Sequence, residues 1–109
     1  MELLFDQGAP APLRKALADH EVVTAHENGW SQLQNGDLIS AAEESGFEVF
    51  VTTDKNLKYQ QNLTGRSIAI VVLLTTSWPR IQPHLPTVVA AISQAQRGSY
   101  REVSVPSVA

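Results

Sequence analysis

The chain has 109 residues, enough for one hydrophobic core and not for two. Apolar residues make up 43% and charged residues 17%, a globular balance that excludes a disordered chain. The absence of cysteine excludes disulfide frameworks, thiolate zinc sites and iron–sulfur clusters, and a formal charge of −3 argues against a coat protein needing many phosphate contacts.

In chain order, Leu3–Phe5 reads as a first strand and Pro10 to Ala18 as a helix, with Pro at its start and Leu13 and Leu17 spaced by four. Glu21–Ala25 is β-branched and predicts the second strand. His26 to Gly36 is polar, carries Trp30 and two glycines, and reads as a loop with at most a helical turn. Asp37 to Ser45 predicts a helix between Asn35-Gly36 and Gly46. Glu48–Thr52 is the third strand, and Lys55 to Leu63 a short helix or turn.

Ile68–Leu74 is the fourth strand, and its unbroken hydrophobicity fits a strand covered on both faces. It is also the longest apolar stretch and too short to span a bilayer, so no membrane association is expected. Pro79, Pro83 and Pro86 break up the next segment, and a helix is expected from Pro86 to Gln96, stopped by Gly98. Tyr100 to Val105 predicts a short edge strand, and 106–109 a loose tail, leaving 1–105 as one domain. Strand–helix–strand alternation with continuous apolar strands means α/β, with a mainly parallel sheet of four to five strands between two helical layers. The start lacks the basic segment and long apolar run of a signal peptide, and the lack of cysteine suits a reducing cytoplasm.

Two of these strands end in aspartate. Asp6 follows Glu2-Leu3-Leu4-Phe5, and Asp54 follows Phe50-Val51-Thr52-Thr53. In a parallel sheet the C-terminal strand ends share one edge, where open α/β folds place their ligands. Each aspartate alone is explained by capping the turn that follows it. Together they place two carboxylates across one crevice. Asp37, in the first turn of its helix, is favoured there by the helix dipole, yet a helix starting above that edge also presents it to the other two. Three carboxylates suit Mg²⁺ or Mn²⁺, hard cations that take oxygen ligands. Thr52, Thr53 and Asn56 stand beside Asp54 as groups able to orient a carboxylate or a bound water. Lys55, Lys58 and Arg66 form a local basic run suited to a phosphate backbone, and equally a solvated face. Trp30 is expected to pack its ring down and anchor the loop before Asp37, or to serve as a platform for a base. The histidines His20, His26 and His84 lack metal-ligand spacing and are assigned no catalytic role.

The segments Leu4-Phe5-Asp6-Gln7, Gly29 to Leu38 and Thr52 to Leu63 resemble a compact branch of the PIN-like domain family, small α/β/α proteins that include VapC-type toxins of toxin–antitoxin pairs. The resemblance covers residues 3 to about 95. It implies a Mg²⁺- or Mn²⁺-dependent endoribonuclease with Asp6, Asp37 and Asp54 as its metal-binding acids, an RNA substrate met by Lys55, Lys58 and Arg66, and a cognate antitoxin. A homo-oligomer is also compatible with it. The chain departs from the family pattern where many members place a fourth acid, having Thr75-Thr76-Ser77-Trp78 there, and it has Asn56 where some relatives carry a second acid after the third strand. A catalytically inactive PIN-like scaffold used as a binding module is therefore the alternative. A signalling receiver domain fits less well. It needs an acidic pair at the first strand's end and a lysine after the fifth, whereas Asp6 stands between Phe5 and Gln7 and no lysine follows Lys58.

Overall fold

In the computed structural model, residues 1–60, 63 and 65–105 are described. The elements in chain order are β1 (Glu2–Phe5), α1 (Leu13–Ala16), β2 (Glu21–Thr24), α2 (Asn35–Glu44), β3 (Val49–Thr52), α3 (Leu57–Gln60), β4 (Ala69–Leu73), α4 (Trp78–Ile81), α5 (Leu85–Ser93) and β5 (Tyr100–Val103). The strands form one sheet in the order β2-β1-β3-β4-β5, and every pairing is parallel. The fold is thus α/β with a five-stranded parallel sheet, the upper end of the predicted strand count. The tail expected at 106–109, and positions 61 and 62 of the short helix or turn expected from Lys55 to Leu63, lie outside the described residues.

Alternation along each strand divides the core into two clusters, one on each face of the sheet. Leu3, Phe5, Val49, Val51, Val71 and Leu73 face Leu13 and Leu17 around α1, Ile81 of α4, and Val88, Ala91 and Ile92 of α5. Leu4, Phe50, Ile70 and Val72 face Leu38, Ile39 and Ala42 of α2 and Leu57 of α3. β3 and β4 are buried along their whole length, which is why their sequences carry almost no polar residue. The chain is compact, with a radius of gyration of 12.9 Å, close to the ~13 Å of a folded domain of about 100 residues.

The path reverses after β2. From β1 the chain steps outward to β2, then crosses back beyond β1 to β3, making the β1/β3 junction the switch point of the sheet. The first three crossovers share one hand, because α1 packs on one face during the outward step and α2 and α3 on the other during the return. The fourth does not. β4 to β5 moves in the same direction as β3 to β4, yet α4 and α5 lie on the α1 face, so this crossover has the opposite hand to the others, a rare arrangement in parallel sheets.

Two helices differ from their sequence expectation. The helix expected over Pro10–Ala18 contracts to Leu13–Ala16. Its approach is a series of tight turns in which Leu13, Arg14 and Lys15 donate to the carbonyls of Pro10, Ala11 and Pro12, three residues back. Bonds of that three-residue spacing belong to tight turns, and the regular helix is confined to the four residues after Pro12. In the opposite sense, the proline-rich stretch before Pro86 is helical rather than broken. α4, a 3₁₀ turn over Gln82–His84 and α5 follow one another directly, with a proline in the first turn of each, where its missing N–H costs nothing. The loop from 25 to 34 is pinned as expected. The Trp30 N–H donates to the Ala25 carbonyl at 2.8 Å, and its ring meets Phe47 edge to face with centroids 6.0 Å apart. Among the described residues no helix is long and apolar enough to cross a membrane.

Candidate functional site

Because β1 and β3 are neighbours, the residues leaving their C-terminal ends emerge side by side at the switch point. The Asp6 N–H donates to the Val51 carbonyl at 3.0 Å, which carries the β1–β3 ladder one residue past the strand. Asp6 then turns the chain, its Oδ1 accepting the Gly8 N–H at 2.9 Å. Two residues on, Gly8 packs close to Thr53, whose hydroxyl would have to move to admit a Cβ there. Asp54 repeats the pattern, with Oδ1 accepting the Asn56 N–H at 3.0 Å and its carbonyl accepting the Leu57 N–H at 3.3 Å. Both aspartates therefore hold a local turn, as capping alone requires.

They are also joined to each other. Thr52 is the single buried polar residue of the core among the described residues, with no solvent exposure. Its hydroxyl donates to Asp6 Oδ2 and accepts the Asp54 N–H, the latter at 3.1 Å. Thr52 was expected to support Asp54, and the structure shows it gripping Asp6 and the Asp54 backbone together. Burial pushes the Asp6 carboxyl above the ordinary aspartate range, the hydrogen bonds from Thr52 and Gly8 work against that rise, and the negative charge of Asp54 adds to it. The site thus holds more negative charge than its solvation favours.

Asp6 and Gln7 form a ridge between two hollows above the β1/β2 pair. On the α1 side is a cavity of about 390 Å³ whose walls include Phe5, Ala9, Ala11, Arg14 and His26. On the α2 side is one of about 270 Å³ whose walls include Trp30, Ser31, Leu33, Gln34 and Leu38. Arg14 is fixed in the first wall, donating to the Val22 carbonyl at 2.7 Å and paired with Glu27 at 2.9 Å. Gln7 spans to the opposite loop through its Nε2, which donates to the Ser31 carbonyl at 3.2 Å. His26, Arg14 and Gln7 were not picked out from the sequence. For Gln7 and His26 a signal existed, since each directly follows or nearly follows the C-terminal end of a strand. Arg14 had none.

The other sequence candidates are distributed as follows. Asp37 is exposed in the first turn of α2 and lines neither hollow. Among the described residues no three acidic or histidine side chains come close enough together to hold an ion. Asn56 meets Asp54 through its backbone N–H, and its side chain is exposed. Lys55 is exposed, while Lys58 pairs with Glu102 of β5 at 3.0 Å. Glu44 is exposed. His20 lies at the other end of the sheet, its Nε2 3.0 Å from Ser93 Oγ.

Arg66, expected on a basic rim, is half-buried against α2, where it donates to Ser40 Oγ at 2.9 Å and Glu43 Oε1 at 2.7 Å. Glu43 Oε2 accepts the Ser67 N–H at 2.6 Å, and the Ser67 hydroxyl and Ile68 N–H also donate to it. One carboxylate thereby fixes the entry of β4 to the last turn of α2. Burial alone would raise the Glu43 carboxyl, but Arg66 and the Ser67 and Ile68 donors outweigh it and hold it below the ordinary glutamate range. A depressed folded-state pKa contributes stability that is present above the unfolded value and is lost as pH falls through the folded value. Glu43→Gln is expected to cost about 1–3 kcal/mol at pH 7, with the deficit shrinking on acidification below about pH 4. Chemical denaturation at pH 7 and pH 3 checks this; an equal deficit at both would mean the charge is irrelevant.

Comparison of the chain with family models, with curated proteins and with solved structures finds no match.

Proposed function

We propose that the chain is a PIN-like domain, a three-layer α/β/α sandwich, acting as a metal-dependent endoribonuclease and as the toxin of a toxin–antitoxin pair. The observation that carries this reading is the coupling of Asp6 and Asp54 through the buried Thr52 hydroxyl at the switch point of the sheet. A fold of this strand order hosts many activities, so the order by itself carries no function. The resemblance of the segments around Asp6, Trp30–Leu38 and Asp54 supports the choice of RNA.

The donor set fits a hard divalent cation. Asp6 and Asp54 supply carboxylate oxygens, and their mutual repulsion in a partly buried place is relieved by a positive charge. Mg²⁺ is commonly held by one or two carboxylates with several waters, so two aspartates suffice, with Asp37 acting through solvent. Such an ion supplies charge stabilisation on a phosphate and a more acidic water. Thr52 keeps Asp6 oriented and favours its ionised form. Lys55 and Lys58, which follow Asp54 in the chain, would meet the phosphate backbone, and Arg66 would support them by holding α2.

The test is cleavage of single-stranded RNA by the purified chain with millimolar Mn²⁺ or Mg²⁺. Cleavage is expected to stop in EDTA and return with added Mn²⁺. Cleavage that persists in EDTA overturns the metal mechanism. A folded chain that cleaves none of a broad RNA set in either metal is the inactive binding scaffold instead.

A further inference from the structure

We propose that the two hollows flanking Asp6 receive the two nucleosides on either side of one phosphodiester, so that a single strand of RNA lies across the Asp6–Gln7 ridge. This deepens the ribonuclease reading and rests on it for the identity of the strand. The hollows share Asp6 and Gln7 as a common wall, one on each side of the same carboxylate. At about 390 and 270 Å³ they stand near the lower bound of small-ligand sites, roughly 300 Å³, and each has room for one nucleoside-sized group. Bases stacked and paired in a duplex cannot enter two recesses separated by a ridge, whereas an unstacked single strand can.

The linings suit bases. The α1-side hollow has an apolar floor of Phe5, Ala9 and Ala11 with Arg14 and His26 at its edge. Arg14 is held by the Val22 carbonyl and Glu27, so its planar guanidinium is fixed beside the recess, where it stacks on or donates to a base. The α2-side hollow combines Trp30, part-exposed and braced by Phe47, with the amide of Gln34. Leu33 stands on its wall and is the one large hydrophobic side chain counted as exposed among the described residues, 37% accessible. The lining of this hollow is mostly polar, so hydrogen-bonding groups would hold a base there, with Trp30 and Leu33 as its apolar contacts.

The probe is a dinucleoside joined by an uncharged methylphosphonate, which needs no metal to bind and is compared with single nucleosides and nucleoside monophosphates by tryptophan fluorescence. The dinucleoside is expected to bind at least about 10-fold tighter than either. Ala11→Leu, which fills the α1-side hollow from an exposed position, and Leu33→Ser, which removes the apolar wall of the other, should each bring its affinity down to that of a single nucleoside with unchanged melting. Equal affinity for dinucleoside and mononucleotide, or wild-type affinity in both variants, overturns the proposal. If metal-dependent cleavage stands while the variants bind normally, this inference alone falls. If the dinucleoside binds as expected but no RNA is cleaved, the strand path stands and the catalytic reading falls.

Discussion

Asp6→Asn is expected to lower RNA cleavage by at least about 100-fold while raising the melting temperature at pH 7. Removing a carboxylate from a two-carboxylate site takes away one donor and one negative charge together. Stabilisation of phosphate charge by a bound cation is worth several kcal/mol, and about 3 kcal/mol is already roughly a hundredfold in rate. The stability effect has the other sign. The Asp6 carboxyl is pushed above its ordinary range, chiefly by burial, so its ionised form is disfavoured in the folded state. A raised folded-state pKa contributes stability that is fully present below the unfolded value and is lost as pH rises through the folded value. At pH 7 that contribution is gone, and Asn restores it by being neutral, less the one hydrogen bond from Gly8 or Thr52 that its amide nitrogen cannot accept. The gain in melting temperature should therefore vanish below about pH 4, where Asp6 is protonated in both states. Since ~1 kcal/mol corresponds to roughly 4–8 °C in a domain of this size, thermal scans across pH resolve it. A variant that melts lower at pH 7, or that cleaves RNA as wild type does, contradicts the role given to Asp6.

Thr52→Val is expected to destabilise the fold by about 2–3 kcal/mol, although the two side chains are nearly the same shape. Valine offers neither the donor to Asp6 Oδ2 nor the acceptor for the Asp54 N–H, both of which sit at a position with no access to water. A hydrogen bond to a charged group is worth about 1.5–3 kcal/mol, and a buried group left unpaired costs about 1–3 kcal/mol. Loss of the Thr52 donor also removes what holds the Asp6 pKa down, so the deficit should be largest at neutral pH and smaller in acid. Any metal-dependent cleavage should shift its rising pH limb upward for the same reason. Thr52→Ser, which keeps the hydroxyl, should recover most of the stability and the original pH profile. If Val is as stable as wild type and Ser is the destabilised variant, the methyl group matters and the hydroxyl does not.

Much of the architecture follows from local rules. Five short hydrophobic runs separated by polar, helix-length segments dictate a parallel α/β sheet, because buried strands need a crossover long enough to cover them. For the same reason Asp6 and Asp54, each just beyond such a run, had to emerge at the C-terminal edge. Trp30 had to pack down, since a large ring in a polar loop gains most from the nearest apolar surface, here Phe47. Prolines were harder to read. In Pro10–Pro12 the chain makes tight turns, whereas Pro79, Pro83 and Pro86 each sit in the first turn of a helical segment.

What the sequence by itself determined is the type and direction of the strands and the edge at which the two aspartates appear. Strand order was not written in it, because any parallel order satisfies the same alternation. Only the tertiary structure placed β1 beside β3, and with that neighbourhood came the Thr52 hydroxyl between Asp6 and Asp54. It likewise kept Asp37 at the exposed start of α2 and drew Arg66 to Glu43. These outcomes depend on distances between residues far apart in the chain, which hydrophobic period and turn chemistry, acting over a few residues, do not encode.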